Sequence, residues 1–359
     1  MEGEDNMTLK ERIWGAIWGK EIDRVPFTTY PGLFPEREPL VKAGLIGNMN
    51  RCSVYQESSS AQIERSSEEY QVGNEKRVRY TLQTPVGEIS ETLRTGGGYG
   101  SSLRCEFFIK EPEDYEVVKY IVRNRQYTPN YDGLLETEKA VGDDGVVIGN
   151  VKYSPIQEML VLLMGAERFS IDYYERRDLF DSLYDAITEK DREIYKIAAE
   201  SPAQAVIYGD NITSWMIGLE RFEKYCVTRY NELGAMLHEK GKLLGVHMDG
   251  NLQHLKKAIA DSEVDIVEAF NPAPDGDISV KDARESWPDK VIWINFTSSF
   301  HLAEPEIIRE HTIDLLRQSY PGHRFIIGIT ENVPDHVREN SMRVIAETLC
   351  DKGTFPLAV

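Results

Sequence analysis

The alternation of short apolar runs with amphipathic helical patterns constrains the fold of this chain more than any other sequence feature. The apolar runs, each bounded by turn residues, are 145–149, 204–209, 243–248, 264–270, 290–296 and 324–330. Continuous apolar strands that alternate with helices predict a parallel sheet covered by helices. A further strand at 25–30 brings the number to seven and leaves room for an eighth. We therefore predict an α/β fold of the (β/α)₈ barrel (TIM barrel) type. An open doubly wound sheet is the rival, although the sequence has no GxGxxG and no Walker loop.

The chain of 359 residues is long for one ordinary domain, but (β/α)₈ barrels run from about 200 to over 400 residues. We expect a single barrel domain over 1–359. The stretch 50–110 has a different pattern, with short alternating runs separated by turns at 84–87 and 96–100, and it predicts an antiparallel hairpin insertion. Before it, Thr8 and Glu11 form a capping box that begins a helix, and Gly19 ends that helix.

The charge balance excludes several classes of protein. Lys and Arg number 41 and Asp and Glu number 60, for a net charge of −19. A chain this acidic is poorly suited to bind nucleic acid or anionic membranes. The longest strongly apolar stretch, Met159 to Ala166, is far shorter than the roughly 20 residues of a membrane span. The four cysteines form no CxxC, and the N-terminus lacks a signal-peptide pattern. We expect a cytoplasmic protein.

Polar residues follow the apolar strands, where barrel enzymes place their chemistry. The strand ends read Asn150, Asp210-Asn211, His247-Met-Asp249-Gly250, Glu268 with Asn271, Asn295 with Thr297, and Thr330-Glu331-Asn332. In an extended segment the side chains of His247 and Asp249 point the same way, and Gly250 permits close approach of backbone or ligand. A histidine with carboxylates suits a divalent metal, most commonly zinc, with Glu331 as a third ligand. The alternative is a hydrogen-bonded His–Asp pair.

The other histidines have no predicted functional role. His238 and His254 lie on helices, and His301, His311, His323 and His336 lie in polar stretches that indicate a solvated surface. Trp215, Met216 and Trp293 flank strand ends, where they could wall an apolar pocket or pack in the core.

Several segments resemble the uroporphyrinogen decarboxylase superfamily. They are Lys10-Glu-Arg12 with Asp23-Arg24-Val-Pro26, Thr84-Pro-Val-Gly87, Ser154-Pro155, Asp210-Asn211, His247-Met-Asp-Gly250 and Gly328-Ile-Thr-Glu-Asn-Val-Pro334, which follow the family order over nearly the whole chain. The resemblance implies a (β/α)₈ barrel of the uroporphyrinogen decarboxylase type, with its cleft at the carboxyl ends of the strands. True decarboxylases of the family carry an Arg-Gln-Ala-Gly-Arg segment after the first strand. Here Thr28–Arg37 lacks it, so turnover of uroporphyrinogen is not expected.

The methyltransferase branch of the superfamily, similar to methylcobalamin:coenzyme M methyltransferase, binds zinc through a His-x-Cys pair and a later Cys. In this sequence His247 matches the histidine, Asp249 falls on the first Cys position and Glu331 falls near the second. Two carboxylates in place of two thiolates make a harder site, which suits a zinc ion that acts as a Lewis acid on oxygen. The resemblance therefore implies a metal site of His247, Asp249 and Glu331.

The implied activity is that of the substrate-specific methyltransferase of a corrinoid system, the O-demethylase component. An oxygen-linked donor, which we expect to be an aryl methyl ether, would give its methyl group to cob(I)alamin, and zinc would stabilise the departing oxygen. Asp210 or Asn211 would position or protonate that oxygen. Trp215, Met216, Trp293 and Asn271 would bind the donor. The chain lacks a D-x-H-x-x-G cobalamin signature, so the corrinoid must arrive on a partner protein.

Two other functions remain open at this stage. A metal-free decarboxylase of the uroporphyrinogen decarboxylase type predicts no zinc and turnover of a porphyrinogen. A non-enzymatic barrel predicts binding of a corrinoid protein or tetrapyrrole that survives removal of Asp249 and Glu331. The methyl donor itself is not identified by the sequence.

Overall fold

The computed structural model of the chain describes residues 7–358. Contacts divide these residues into two compact units. The first unit consists of the described residues up to Val54, Asn130–Lys152, and the chain from Ala198 onward; the second consists of Tyr55–Pro129 and Tyr153–Ile197. None of the helices in the described range combines the length and the apolar character that a membrane crossing requires.

The described residues form fourteen strands, named β1 to β14 in chain order. Their bounds are Phe27–Thr29, Gly47–Ser53, Tyr55–Ser59, Glu64–Val72, Glu75–Thr84, Gly87–Arg94, Leu103–Glu106, Arg125–Pro129, Gly145–Val151, Ala205–Tyr208, Leu243–His247, Ile266–Phe270, Val291–Asn295 and Phe325–Ile329. Eight parallel strands of the first unit close a barrel in the order β1-β14-β13-β12-β11-β10-β9-β2. The predicted (β/α)₈ fold is thereby confirmed, and the open doubly wound sheet is excluded.

The described residues also form fourteen α-helices, named α1 to α14 in chain order. Their bounds are Leu9–Trp18, Glu38–Lys42, Asp114–Arg123, Asp132–Val141, Pro155–Gln157, Gly165–Glu175, Arg177–Glu200, Ser214–Ile217, Leu219–Arg221, Thr228–His238, Lys256–Ala260, Val280–Ser286, Pro305–Ser319 and Asp335–Lys352. Short π-helical turns lie at Glu158–Met164 and Phe222–Val227, and 3₁₀ turns at Pro31–Leu33, Gly98–Gly100, Gln253–Leu255 and Ser298–Leu302.

Helix α1 begins and ends where the sequence predicts. The Thr8 hydroxyl accepts the backbone N–H of Glu11, and the Glu11 carboxylate accepts that of Thr8, at 3.1 and 2.9 Å. Gly19 closes the helix in the left-handed region, with φ 65°.

The barrel strand that the apolar pattern did not reveal is β2. It pairs with β1 at Thr28↔Gly47 and with β9 from Asn48↔Gly145 to Ser53↔Asn150. Its sequence is mostly polar. Met49 is its one large apolar residue and packs in the barrel core. The hairpin insertion predicted over 50–110 therefore starts too early, since 50–53 belong to the barrel.

Inside the barrel, large side chains lie beside small residues of neighbouring strands. Trp293 of β13 is fully buried in the apolar core cluster, and its indole N–H donates to the Thr28 hydroxyl at 2.9 Å. Gly328 of β14 leaves room for this ring, since a Cβ there would lie 2.9 Å from Nε1. An apolar layer thus fills the barrel below the carboxyl ends of its strands.

The second unit contains the antiparallel strands. β4, β5, β6 and β7 form a four-stranded sheet between Glu64 and Glu106, and β3 pairs with β8. The turn predicted at Thr84-Pro-Val-Gly87 joins β5 to β6, and the Thr84 hydroxyl donates to the Gly87 carbonyl at 2.8 Å. The antiparallel character predicted for this part of the sequence is confirmed.

Candidate active site

A layer of polar side chains lies at the carboxyl ends of the barrel strands. Its members stand among the last three residues of a barrel strand or directly after it: Tyr30, Arg51, Asn150, His247, Glu268, Asn295 and Thr330. Hydrogen bonds connect the first five into one chain, in the order Asn150–Arg51–Tyr30–Glu268–His247. The predicted concentration of polar groups at the strand ends is thus also a connected network.

His247 is fixed by a buried carboxylate. Its Nδ1 lies 2.7 Å from Oε2 of Glu268, whose side chain is 0% exposed. The other Glu268 oxygen accepts the hydroxyl hydrogen of Tyr30. On the opposite side of the ring, Nε2 lies 3.7 Å from Oδ2 of Asp249, beyond hydrogen-bonding distance. Nε2 is therefore the ring nitrogen that remains available to a ligand.

Strand β12 has a bulge directly after Glu268. The pairing of β12 with β13 shifts between Glu268 and Phe270, and Ala269 between them has φ 57°, a left-handed value unusual for a residue with a Cβ. Phe270 packs edge-on against Trp287, with ring centroids 5.8 Å apart. Bulges of this kind commonly re-aim side chains beside active sites.

The charges of the network stabilise one another. Burial by itself would lower the pKa of His247, but the negative charges of Glu268 and Asp249 raise it to about 10. Burial by itself would raise the pKa of Glu268, but His247, Arg51 and the Tyr30 hydroxyl lower it below its usual range. A cationic imidazole and an anionic carboxylate are thus the favoured forms when no ligand is bound.

The loop that carries Asp249 is held by backbone contacts. The Gly250 N–H donates to the Ile212 carbonyl at 3.0 Å, and a Cβ on Gly250 would lie 2.3 Å from Cβ of Thr213. Asn271 donates from Nδ2 to the Asp249 carbonyl at 2.6 Å, while its Oδ1 is buried with no hydrogen-bond partner among residues 7–358. Gly250 therefore provides the close backbone approach that its position predicted, and Asn271 supports Asp249.

Glu331 lies within electrostatic range of the same groups. Burial raises the pKa of its carboxyl, Asp249 raises it further, and His247 opposes the increase. Within the described part of the chain, no three or more His, Cys, Asp or Glu side chains form a group that could hold a metal ion. His247, Asp249 and Glu331 are thus neighbours that do not form a ready-made metal cage, and the metal site stays a prediction.

Asp210 and Asn211, predicted to act on the donor oxygen, follow β10. Asp210 is fully buried, and its Oδ2 accepts the hydroxyl hydrogen of Tyr230 in α10 at 2.6 Å. Burial, with the charge of Asp210, raises the pKa of Tyr230 well above its usual value. Asn211 is exposed. The structure therefore joins Asp210 to a helix outside the strands, and the catalytic role of both residues stays a prediction.

The three predicted aromatic and methionine contacts separate into two environments. Trp293 occupies the core layer described above, which was the alternative for it in the sequence analysis. Trp215 and Met216 of α8 are 79% and 38% exposed. The predicted role of these three residues in binding the donor stays a prediction.

Two histidines predicted to be solvated are not. His301 is 2% exposed, and its Nδ1 lies 2.7 Å from the Ser341 hydroxyl. His311 stacks on Phe300 with ring centroids 3.7 Å apart, and its Nε2 lies 2.8 Å from the Thr297 hydroxyl. The local polarity of the sequence was misleading here, because neighbouring elements cover both rings.

Arg51 is the functional candidate that the sequence analysis missed. Its Nη2 and Nε donate to Oδ1 of Asn150 at 2.8 and 3.2 Å, and its Nη1 donates to the Tyr30 hydroxyl at 3.4 Å. Gly209 leaves space for it, since a Cβ there would lie 3.0 Å from Nη2. Recognition of β2 as a strand would have placed Arg51 two residues from Met49, on the barrel face.

One protein-family model and several solved structures match this chain. The family model described as uroporphyrinogen decarboxylase (URO-D) matches residues 95–350. Among solved structures, a methyltransferase from Methanosarcina mazei is similar in fold, with a TM-score of 0.59 and 12% identity, covering 96% of this chain and 99% of that chain. A sugar phosphate isomerase/epimerase from Parabacteroides distasonis has a TM-score of 0.39 and 11% identity, covering 94% and 96%. No curated protein matches the sequence. Because the family model spans well over half of the sequence, the chain belongs to the uroporphyrinogen decarboxylase family.

Proposed function

We propose that this chain is a methyltransferase that demethylates an oxygen-linked methyl donor, an aryl methyl ether, and passes the methyl group to cob(I)alamin on a separate corrinoid protein. The bond between the methyl carbon and the ether oxygen breaks, and its electron pair stays on the oxygen as a phenolate. The barrel shared with a methyltransferase from Methanosarcina mazei and the family membership support the proposal. The work left to the protein is to orient the donor and to stabilise the oxygen that departs.

The observation that carries the proposal is the anchoring of His247 by Glu268. A buried carboxylate that accepts the Nδ1–H of a histidine fixes the orientation of the ring, so that Nε2 presents its lone pair to a metal ion once the ion displaces the second ring proton. This pairing is typical of histidines that bind metals in proteins. Since Nε2 lies 3.7 Å from the nearest oxygen of Asp249, a bound cation would find two donor types side by side.

The donor set suits zinc at an oxygen substrate. His247 with Asp249 would hold the ion, and Glu331, whose carboxyl interacts electrostatically with both, would be the third ligand, which leaves a fourth position open. When bound, zinc supplies a Lewis acid for the negative charge that develops on the ether oxygen. Asn271, through its bond to the Asp249 carbonyl, keeps that carboxylate beside the histidine.

Metal content tests the proposal. The protein, wild type and His247→Ala, is supplied with zinc, freed of excess metal and measured by mass spectrometry. His254→Ala is the matched control, because His254 is exposed in the turn that follows the Asp249 loop. We expect about one zinc per chain in the wild type and the control, and much less in His247→Ala.

Activity is then measured with methoxylated phenols and free cob(I)alamin, whose methylation changes its absorbance. We expect methylcobalamin and the corresponding phenol with the zinc-loaded wild type and neither with His247→Ala. A wild type that stays free of zinc and does not methylate cob(I)alamin would refute the proposal. If such a protein decarboxylated a porphyrinogen, the metal-free decarboxylase would replace it.

A further inference from the structure

Arg51 places a positive charge without a direct ion pair at the carboxyl ends of the barrel strands. Its side chain is partly buried, and no Asp or Glu in the described part of the chain lies within ion-pair distance of it. The nearest carboxylate of the hydrogen-bonded network, Glu268, already has one oxygen on Tyr30 and the other on His247. Glu268 therefore acts on Arg51 only through space and through the Tyr30 hydroxyl, and an anionic ligand that bonded the guanidinium directly would be stabilised by its charge.

The hydrogen bonds of the Arg51 guanidinium leave two of its N–H groups available to a ligand. A guanidinium has five N–H groups. The neutral amide oxygen of Asn150 accepts two, from Nε and Nη2, and the Tyr30 hydroxyl accepts one from Nη1. One N–H therefore remains on each terminal nitrogen. Two parallel N–H groups on the terminal nitrogens form the fork that binds a carboxylate through both oxygens.

The surroundings fix the position of this fork. Asn150 follows in register on the neighbouring strand β9, where it pairs with Ser53 of β2. Gly209 at the end of β10 has no side chain, which leaves room for Nη2. The Tyr30 ring lies under the charge, with its centroid 6.0 Å from the Arg51 Cζ. Residues on or directly after four barrel strands, β1, β2, β9 and β10, thus fix the position of the Arg51 guanidinium.

We propose that Arg51 binds a carboxylate of the methyl donor, so that the donor is a methoxylated aromatic acid rather than a neutral ether. The inference rests on the proposed function, because it assigns the donor oxygen to the His247 end of the network. Arg51 and His247 lie at opposite ends of the chain Arg51–Tyr30–Glu268–His247. A donor held at both ends needs a methoxy group and a carboxylate at separate positions of one rigid body, which an aromatic ring provides. The carboxylate is unchanged by the reaction.

Binding of 4-methoxybenzoate, measured by calorimetry without corrinoid, tests the carboxylate site. The neutral analogue 4-methoxybenzamide has nearly the same shape and no charge. We expect the wild type to bind the acid about 10- to 100-fold more tightly than the amide, the range for charge-assisted hydrogen bonds. Arg51→Gln should lose this preference, and Arg51→Lys, which keeps the charge without the fork, should retain part of it.

Arg343→Gln is the matched control, since Arg343 is exposed on α14; it should behave as the wild type. Thermal melting of each variant identifies one that fails to fold, in which case the comparison of acid and amide in the wild type decides. Equal affinity of the wild type for acid and amide would overturn the inference, and so would an acid preference that survives in Arg51→Gln.

The two proposals fail separately. If neutral and carboxylated aryl ethers methylate cob(I)alamin equally well, and Arg51→Gln changes neither, the carboxylate site is refuted while the methyltransferase proposal stands. If the acid binds through Arg51 but zinc and methyl transfer are both absent, the carboxylate site stands and the methyltransferase proposal is refuted.

Discussion

Acidification should destabilise the protein through His301, the buried histidine in the 3₁₀ turn that follows β13. Burial lowers the pKa of His301 to about 4; Asp275 opposes the decrease and His311 adds to it. The native state therefore holds this ring neutral at a pH where the unfolded chain, with an ordinary histidine pKa of about 6.5, takes up a proton. Replacement of His301 by Asn removes this source of pH dependence and leaves an amide that can reach the Ser341 hydroxyl.

The sign and size follow from the two pKa values. Above pH 6.5 both states are neutral at this position, and no stability is lost. As the pH falls from 6.5 to 4, the unfolded state gains a proton that the native state excludes, so the free energy of unfolding decreases; below pH 4 the decrease stops. The difference between 6.5 and about 4 corresponds to about 3 kcal/mol, at about 1.4 kcal/mol per pKa unit. About 2 kcal/mol of it should be lost by pH 5.

Urea denaturation between pH 7.5 and 4.5, followed by tryptophan fluorescence, measures this effect. His301→Asn should be less stable than the wild type at pH 7.5, because the ring contact with Phe296 is lost, and the difference should shrink by about 2 kcal/mol at pH 5. His254→Asn, a change at an exposed histidine, is the control and should parallel the wild type. Parallel curves for wild type and His301→Asn would refute the reasoning.

Three further changes test the site and the packing beneath it. Glu268→Gln removes the carboxylate that orients the metal-binding ring of the proposed site, and zinc affinity should fall about 10- to 100-fold in a chelator competition; unchanged affinity would contradict the orienting role. Gly209→Val places a branched side chain against the Arg51 guanidinium, so calorimetry should show 4-methoxybenzoate binding weakened about 10-fold or more; wild-type affinity would mean that the guanidinium does not act from this position. Gly328→Ala sets a Cβ 2.9 Å from a buried indole nitrogen and should lower the free energy of unfolding by about 1–3 kcal/mol in urea. Gly32→Ala, with nothing within 4 Å of the added Cβ, should cost much less, and equal costs would refute the packing argument.

The fold could be predicted for the strands that are fully buried, because their sequences are unbroken apolar runs. Strands such as β12 and β13 are buried along their whole length, so the runs at 264–270 and 290–296 identify them. The apolar pattern does not identify strand β2, because only Gly47 and Met49 of its seven residues are buried. A strand that carries an arginine at the polar end of a barrel cannot be uniformly apolar, and Arg51 is one reason why the apolar pattern does not reveal β2.

The candidate site could be predicted by position more readily than by orientation. His247 ends β11 and Asp249 follows two residues later, and their side chains lie on one side as expected, with Nε2 3.7 Å from Oδ2. Asp210 also follows its strand, but Gly209 is the residue that faces Arg51, and the Asp210 carboxylate meets Tyr230 instead. The sequence placed Glu268 near a strand end but gave it no role. Its role depends on three-dimensional contacts, in which one carboxylate oxygen binds His247 and the other binds Tyr30.

The bulge at Ala269 has a consequence for the space beside His247. Beyond Glu268, the strand places Phe270 opposite Ile294 and against Trp287, although strict alternation would turn the second residue after Glu268 back toward the barrel axis. Deletion of Ala269 alone would place Phe270 directly after Glu268 and leave its ring turned outward. Regular pairing with Ala269 retained would instead turn the Phe270 ring toward the barrel axis, at the level of His247. The left-handed backbone of Ala269, which a β-branched side chain would disfavour, therefore keeps this end of the barrel open, although Ala269 itself carries no functional group.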